Sequence, residues 1–181
     1  MYYTNQLTIT MRNEEMATKA LAVLVKRLEA GFECDKTYKN NPSLKMAEAL
    51  EIKENTIVLP DDYGCYIAKD ANEVLSVLME VLATVMKEEV FSCECWNNED
   101  SFDIDFEAHY ENGIVAIKAV LYPNGYTEFL YCDDCGEEIV SFTEFDRNKK
   151  YYCSECGEEL DLLKQYEEIK PIITEKEIVI K

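Results

Sequence analysis

Cys132, Cys135, Cys153 and Cys156 stand at the spacing C-x2-C-x17-C-x2-C, within a stretch that reads YCDDCGEEIVSFTEFDRNKKYYCSECGEEL. Thiols packed this closely admit three arrangements: disulfides, a redox pair, or the corners of a metal site. The first residues, MYYTNQLTITMRNEE, show no basic start followed by an apolar run, so no secretory leader is expected. The expected compartment is then the cytoplasm, where thiols stay reduced, and metal is favoured over disulfide. Two residues between paired thiols let one tight turn present both sulfurs to the same ion. The 17 residues between the pairs suffice for a hairpin, with EIVSFTEF running out, DRNKK as the tip and YY returning. Four thiolates would form a closed tetrahedral shell with no position left for a substrate. The expectation is one structural Zn2+ and no catalytic role for these residues.

Each pair is followed by glycine, giving Cys132-Asp-Asp-Cys135-Gly136 and Cys153-Ser-Glu-Cys156-Gly157. Glycine suits such turns because the backbone amides swing toward the sulfurs. The doubled knuckle resembles a zinc ribbon, over about thirty of the 181 residues. The resemblance implies a small hairpin module held by metal. It implies no single activity, since zinc ribbons occur in transcription factors, ribosomal proteins, enzymes and adaptors. Rubredoxins set similar knuckles around iron, but their usual proline inside the second knuckle is Ser154 here. Zinc is expected, with iron or a redox dithiol as alternatives. A module this small buries too little apolar surface to fold alone. Metal binding contributes roughly 10–16 kcal/mol of apparent folding free energy in zinc-finger peptides, so the ion serves as a staple.

The remaining chain reads as an α+β domain. Leu7, Ile9 and Met11 alternate with polar neighbours, as in a strand. Asn13 is placed to cap a helix with Glu14 and Glu15 in its first turn. Ala17, Leu21, Leu24, Val25 and Leu28 recur at helical spacing, and Gly31 ends the run. Pro42 opens a short helix through Leu50. The segment NTIVLPDDYGCYIAKD suggests a hairpin turning around Pro60, Asp61, Asp62 and Gly64. Asp70 and Glu73 suggest a capping box for a second long helix with a stripe of Val74, Val77, Leu78, Val81, Leu82 and Val85. Its apolar part, Val74 to Met86, is too short to span a bilayer. A strand at VFSCECW completes a βαββαβ order, which suggests a ferredoxin-like sheet. Asn112-Gly113 then sits between two alternating runs and predicts an added hairpin. A two-residue turn there pairs Tyr110 with Val115, Ala108 with Ile117, Phe106 with Ala119 and Ile104 with Leu121, and sets Glu107 beside Lys118. The expected division is residues 1–128 for this domain, 129–160 for the ribbon, and 161–181 for a helix and strand that pack back.

The formal charge is -19, from 18 Lys and Arg against 37 Asp and Glu. A field of that sign repels phosphate backbones and favours basic partners or cations. Residues 129–160 hold nine acids against Arg147, Lys149 and Lys150, so nucleic acid is an unfavoured partner for the ribbon. Contact with a protein through Phe145, Tyr151 and Tyr152 is the alternative. Other chemistry is sparse. Cys93 and Cys95 share one strand face, and a second metal site would need Cys34, Cys65 or His109 beside them. Asp103, Asp105, Glu107 and His109 project from one face of a strand, a set open to a hard cation or an acid–base pair. No Gly-rich phosphate loop, nucleophile elbow or H-E-x-x-H motif is present. The leading expectation is a cytoplasmic, non-enzymatic zinc-binding protein that contacts another protein. The alternatives are a metal-dependent hydrolase using the carboxylate strand, and an acidic nucleic-acid mimic that binds a basic protein.

Overall fold

The computed structural model describes residues 4–60, 66, 68–99, 102–123 and 128–181. Strand β1 (Thr4–Thr10) leads through Asn13 into helix α1 (Glu14–Glu29), and the Asn13 side chain accepts the Met16 N–H at 2.9 Å. Helix α2 (Pro42–Ala49), β2 (Glu51–Lys53), β3 (Thr56–Leu59) and the long helix α3 (Ala68–Val85) follow. Strands β4 (Phe91–Glu99), β5 (Phe102–Glu111) and β6 (Ile114–Tyr122) form a meander. Next come β7 (Phe129–Tyr131), β8 (Glu138–Ser141), β9 (Tyr151–Tyr152) and β10 (Glu159–Leu160). Helix α4 (Leu162–Ile169) and β11 (Ile172–Val179) close the chain. The protein is thus mixed α/β, with four α-helices among the described residues.

Seven strands make one sheet in the order β11-β6-β5-β4-β1-β3-β2, every neighbouring pair antiparallel. Register follows from the turn at Asn112-Gly113, where both residues take positive φ, 52° and 80°. That conformation suits Asn and Gly and matches the twist of the flanking strands. All four apolar pairs expected from this turn occur, as does Glu107 opposite Lys118. Ile104, Phe106, Ala108 and Tyr110 therefore share one face with Val115, Ile117 and Ala119, and all are buried. Ile9 and Ile57, also buried, continue that face across β1 and β3. Helices α1 and α3 cover it with Ala17, Ala20, Leu24 and Leu28 from one, and Leu75, Leu78, Met79 and Leu82 from the other. The sheet's opposite face carries no helix of this pair.

Three local readings are corrected. The hairpin near residue 60 turns one element earlier, at Glu54-Asn55, because Glu51–Lys53 pairs with Thr56–Leu59. Glu54 takes φ 58° there, and the Asn55 carbonyl accepts the Met11 N–H at 2.9 Å. Residues 61–65 and 67, which hold most of that expected turn and part of its second strand, lie outside the described residues. Ala68 onward is already helical, so Asp70 sits in the first turn of α3 instead of capping it. Its Oδ2 accepts the Tyr38 hydroxyl at 2.7 Å. The buried stripe of α3 is rotated toward Leu75, Met79 and Ala83, leaving Val85 60% exposed. No helix among the described residues is long and apolar enough to cross a membrane.

Candidate metal centre

Strands β7 and β8 flank the first cysteine pair, and β9 and β10 flank the second. This differs from the single hairpin expected between the pairs. Each knuckle closes its own small hairpin, and β8 pairs with β7. The two turns share one backbone design. Cys132 N–H donates to the Glu137 carbonyl at 2.8 Å and Gly136 N–H to the Cys132 carbonyl at 2.8 Å. Cys153 N–H donates to Glu158 at 3.0 Å and Gly157 N–H to Cys153 at 2.9 Å. Gly136 and Gly157 take φ of 77° and 76°, a left-handed conformation that a side chain would strain.

These turns bring four sulfurs together from two separate hairpins. Cys132 Sγ lies 3.7 Å from Cys156 Sγ, Cys135 Sγ lies 3.4 Å from Cys153 Sγ, and all four ligand atoms fall within 4.8 Å of one another. A tetrahedron with metal–sulfur bonds of about 2.3 Å has edges of about 3.8 Å. The donor set and spacing therefore fit one tetrahedral thiolate-bound ion. Cys132 and Cys153 are buried while Cys135 and Cys156 are exposed, so the centre sits at the module's surface. The N–H groups of Cys135 and Asp134, directed at Cys132 Sγ, hold that thiol below its usual range. Glu137 contacts the second knuckle, and its bonds with Cys153 and then Ser154 bring its carboxyl down to about 2. Nothing in the spacing of the motif announces this contact, since Glu158 occupies the same place in its own knuckle.

A small core supports the knuckles. Leu130, Tyr151 and Leu162 are buried together, with Val140, Phe142 and Tyr166 packed around them. Phe145 stacks on Tyr151 and on Tyr166, at centroid distances of 5.6 and 4.7 Å. Two of the three aromatics expected to meet a protein partner are therefore engaged inside the module and with α4. Only Tyr152, 56% exposed, faces outward. The basic tip is likewise occupied. Arg147 pairs with Glu167 and Lys150 with Glu159, both at 2.5 Å, and Lys149 lies over the Tyr151 ring. The Gln165 side chain of α4 accepts the Tyr131 N–H at 2.8 Å and donates to Asp133 at 3.0 Å.

The other candidate residues do not converge. Among the described residues, the four cysteines are the only group of three or more His, Cys, Asp or Glu side chains placed to share an ion. Cys93 and Cys95 are buried core residues, opposite Ala108 and Phe106, whereas His109 lies on the sheet's other face. They cannot meet. Cys34 is half-buried elsewhere, and Cys65 lies outside the described residues. Asp103, Asp105, Glu107 and His109 share the sheet face opposite α1 and α3, as the alternation predicts. Asp103 is buried, while Glu107 and His109 are exposed. His109 Nε2 lies 3.8 Å from Glu111 Oε2. Burial, with Glu107 and Glu94 nearby and Lys118 opposing, raises Asp105. Comparison with known proteins finds no matching family model, no matching curated protein and no matching solved structure.

Proposed function

We propose that this chain is a zinc-binding protein whose single Zn2+, held by Cys132, Cys135, Cys153 and Cys156, is structural, and that it acts by contacting another protein. The four-sulfur cluster carries the reading. An ion with sulfur at every corner has no vacancy for substrate or water, so it holds chain segments together without catalysing. The module belongs with zinc ribbons on this reading, as residues 129–160 between a domain of residues 1–128 and a returning tail of residues 161–181. The order β4-β1-β3-β2, antiparallel throughout with α1 and α3 on one face, supports a ferredoxin-like core extended by β5, β6 and β11.

A cytoplasmic site of action suits a cluster of four thiols gathered for a metal, since thiols stay reduced there. The formal charge of -19 favours a basic partner over a nucleic acid, and the internally paired tip of the ribbon adds to that preference. The acidic-mimic reading differs only in what the basic partner normally binds. Elemental mass spectrometry of the purified chain tests the foundation: one zinc per chain is expected, lost when Cys132 and Cys153 are both changed to serine. A folded chain without zinc would remove the reading, and a red iron-loaded chain would replace the metal. Partners captured by the intact chain should elute with rising salt. Retention at high salt would count against a charge-driven contact.

A further inference from the structure

Both knuckles read Cys-x-x-Cys-Gly-Glu-Glu, yet their two glutamates after glycine behave differently. Glu137 leaves its own turn and reaches into the second knuckle. Its Oε2 accepts the Ser154 N–H at 2.9 Å and the Glu155 N–H at 3.2 Å, and lies 2.8 Å from Cys153 Sγ. Its Oε1 accepts the Ser154 hydroxyl. Among the described residues no corresponding bond runs from the Glu158 side chain to the first knuckle. Glu158 contributes its carbonyl to Cys153 N–H and nothing across the site.

This asymmetry changes how each turn is held. In the second knuckle the N–H of Glu155, the counterpart of Asp134 in the first, is taken by Glu137 from the other hairpin. Besides the Cys153 thiol, this one carboxylate gathers three N–H and O–H donors from two consecutive residues and ties one hairpin to the other. Ser154 supplies two of those three. Proline at that place would supply neither.

The geometry points to Glu137 as the positioning residue of the metal centre: it fixes the second knuckle against the first, and so sets how tightly the four sulfurs hold their ion. The inference rests on the zinc reading and adds to it a group outside the ligand set. Residues that orient metal ligands from outside the coordination shell typically change affinity by roughly 10–100-fold. Charge alone does not single out Glu137, because Glu158 carries the same charge at the same place in its knuckle.

The test measures Zn2+ affinity of the full chain by chelator competition, together with the Co2+ absorption spectrum as a report on sulfur coordination. Glu137→Ala should weaken Zn2+ binding by roughly 10–100-fold and leave the tetrahedral sulfur spectrum in place. Glu158→Ala should stay close to the unmodified chain, and Glu137→Gln, which keeps an acceptor oxygen, should recover part of the loss. Ser154→Ala should weaken binding less, and should add little once Glu137 is already alanine, as expected of partners in one contact. Equal affinities for Glu137→Ala and Glu158→Ala would overturn the inference while leaving the zinc reading intact. Should Glu137→Ala fail to fold, Ser154→Ala decides, since it keeps every charge: unchanged affinity there would also overturn it. An unmodified chain that binds neither Zn2+ nor Co2+ through sulfur would sink the zinc reading and this inference with it.

Discussion

Tyr66 is fully buried, with its hydroxyl donating to Asp35 Oδ1 at 2.7 Å and lying 2.5 Å from Ser43 Oγ, itself fully buried. Asp35 Oδ2 in turn accepts the Phe32 N–H at 2.6 Å, so one hydroxyl links α2 to the loop after α1. Burial pushes the Tyr66 hydroxyl far up, and it stays protonated as the donor to Asp35. Tyr66→Phe removes the hydroxyl and leaves Ser43 short of a partner. A loss of about 1–3 kcal/mol is expected, read as a lower urea midpoint at unchanged slope. Thiols outside the metal centre follow the same logic. Burial raises the Cys93 thiol well above its usual range, and burial with Asp70 and Asp35 raises Cys34. A raised thiol holds its proton to higher pH, so less thiolate is present at any given pH. Labelling with a thiol reagent, mapped by mass spectrometry, should leave Cys93 unmodified in the folded chain. Cys34 labelling should go on rising above pH 9. A plateau below pH 9 at Cys34, or fast labelling of Cys93, would contradict the burial assigned to them.

At the scale of elements, local chemistry decides what sequence reveals. The β5–β6 hairpin was legible because Asn112-Gly113 fixes a two-residue turn, and period-two alternation then fixes every pair. Gly113→Ala forces a side chain into φ 80°, where its Cβ would make only an ordinary contact with the Ile180 carbonyl at 3.8 Å, so the penalty is backbone strain. About 1 kcal/mol is expected in thermal or urea unfolding. A change near zero would mean the turn relaxes to another type. The clustering of the four cysteines was equally legible, since two Cys-x-x-Cys turns at a short interval leave few geometries. Two other features were not. The turn at Glu54-Asn55 carries no glycine or proline, and β2 has only three residues, too short for alternation to register. The pairing around the cysteine knuckles was hidden because strands of two or three residues are held by the knuckles, not by their own pattern. The edge strand β11 shows a further device. Glu175 and Glu177 lie on one face and Lys176 on the other, so antiparallel pairing with a second β11 in one continuous sheet cannot set Glu against Lys. Charged residues in this arrangement discourage edge-to-edge association.

Across the whole molecule, two cores coexist that share no residue. One lies between the seven-stranded sheet and helices α1 and α3, and the other joins Leu130, Tyr151 and Leu162 beside the metal centre. The chain's last segment divides between them: α4 is clamped to the first knuckle through Gln165, and β11 pairs with β6 along eight residues. Ile180 N–H also donates to the Gly113 carbonyl at 2.8 Å, tying the end of the chain to the hairpin tip. The large core can stand by its own burial, whereas three buried side chains ringed by partly buried ones supply little apolar area for a module of this size, and on the proposed reading the ion makes up the difference. Removal of metal should therefore act on one body only. With a strong chelator at neutral pH, amide hydrogen exchange should quicken across residues 129–169, including α4, which packs on the cysteine-bearing module. Strands β4, β5, β6 and β11 should keep their protection, and the main thermal transition should move little. Loss of protection throughout the sheet would show that the ion stabilises the molecule as a single cooperative unit. Unchanged exchange at Leu130 and Tyr151 would show instead that the small core holds without metal, and the staple role assigned to the four cysteines would fall.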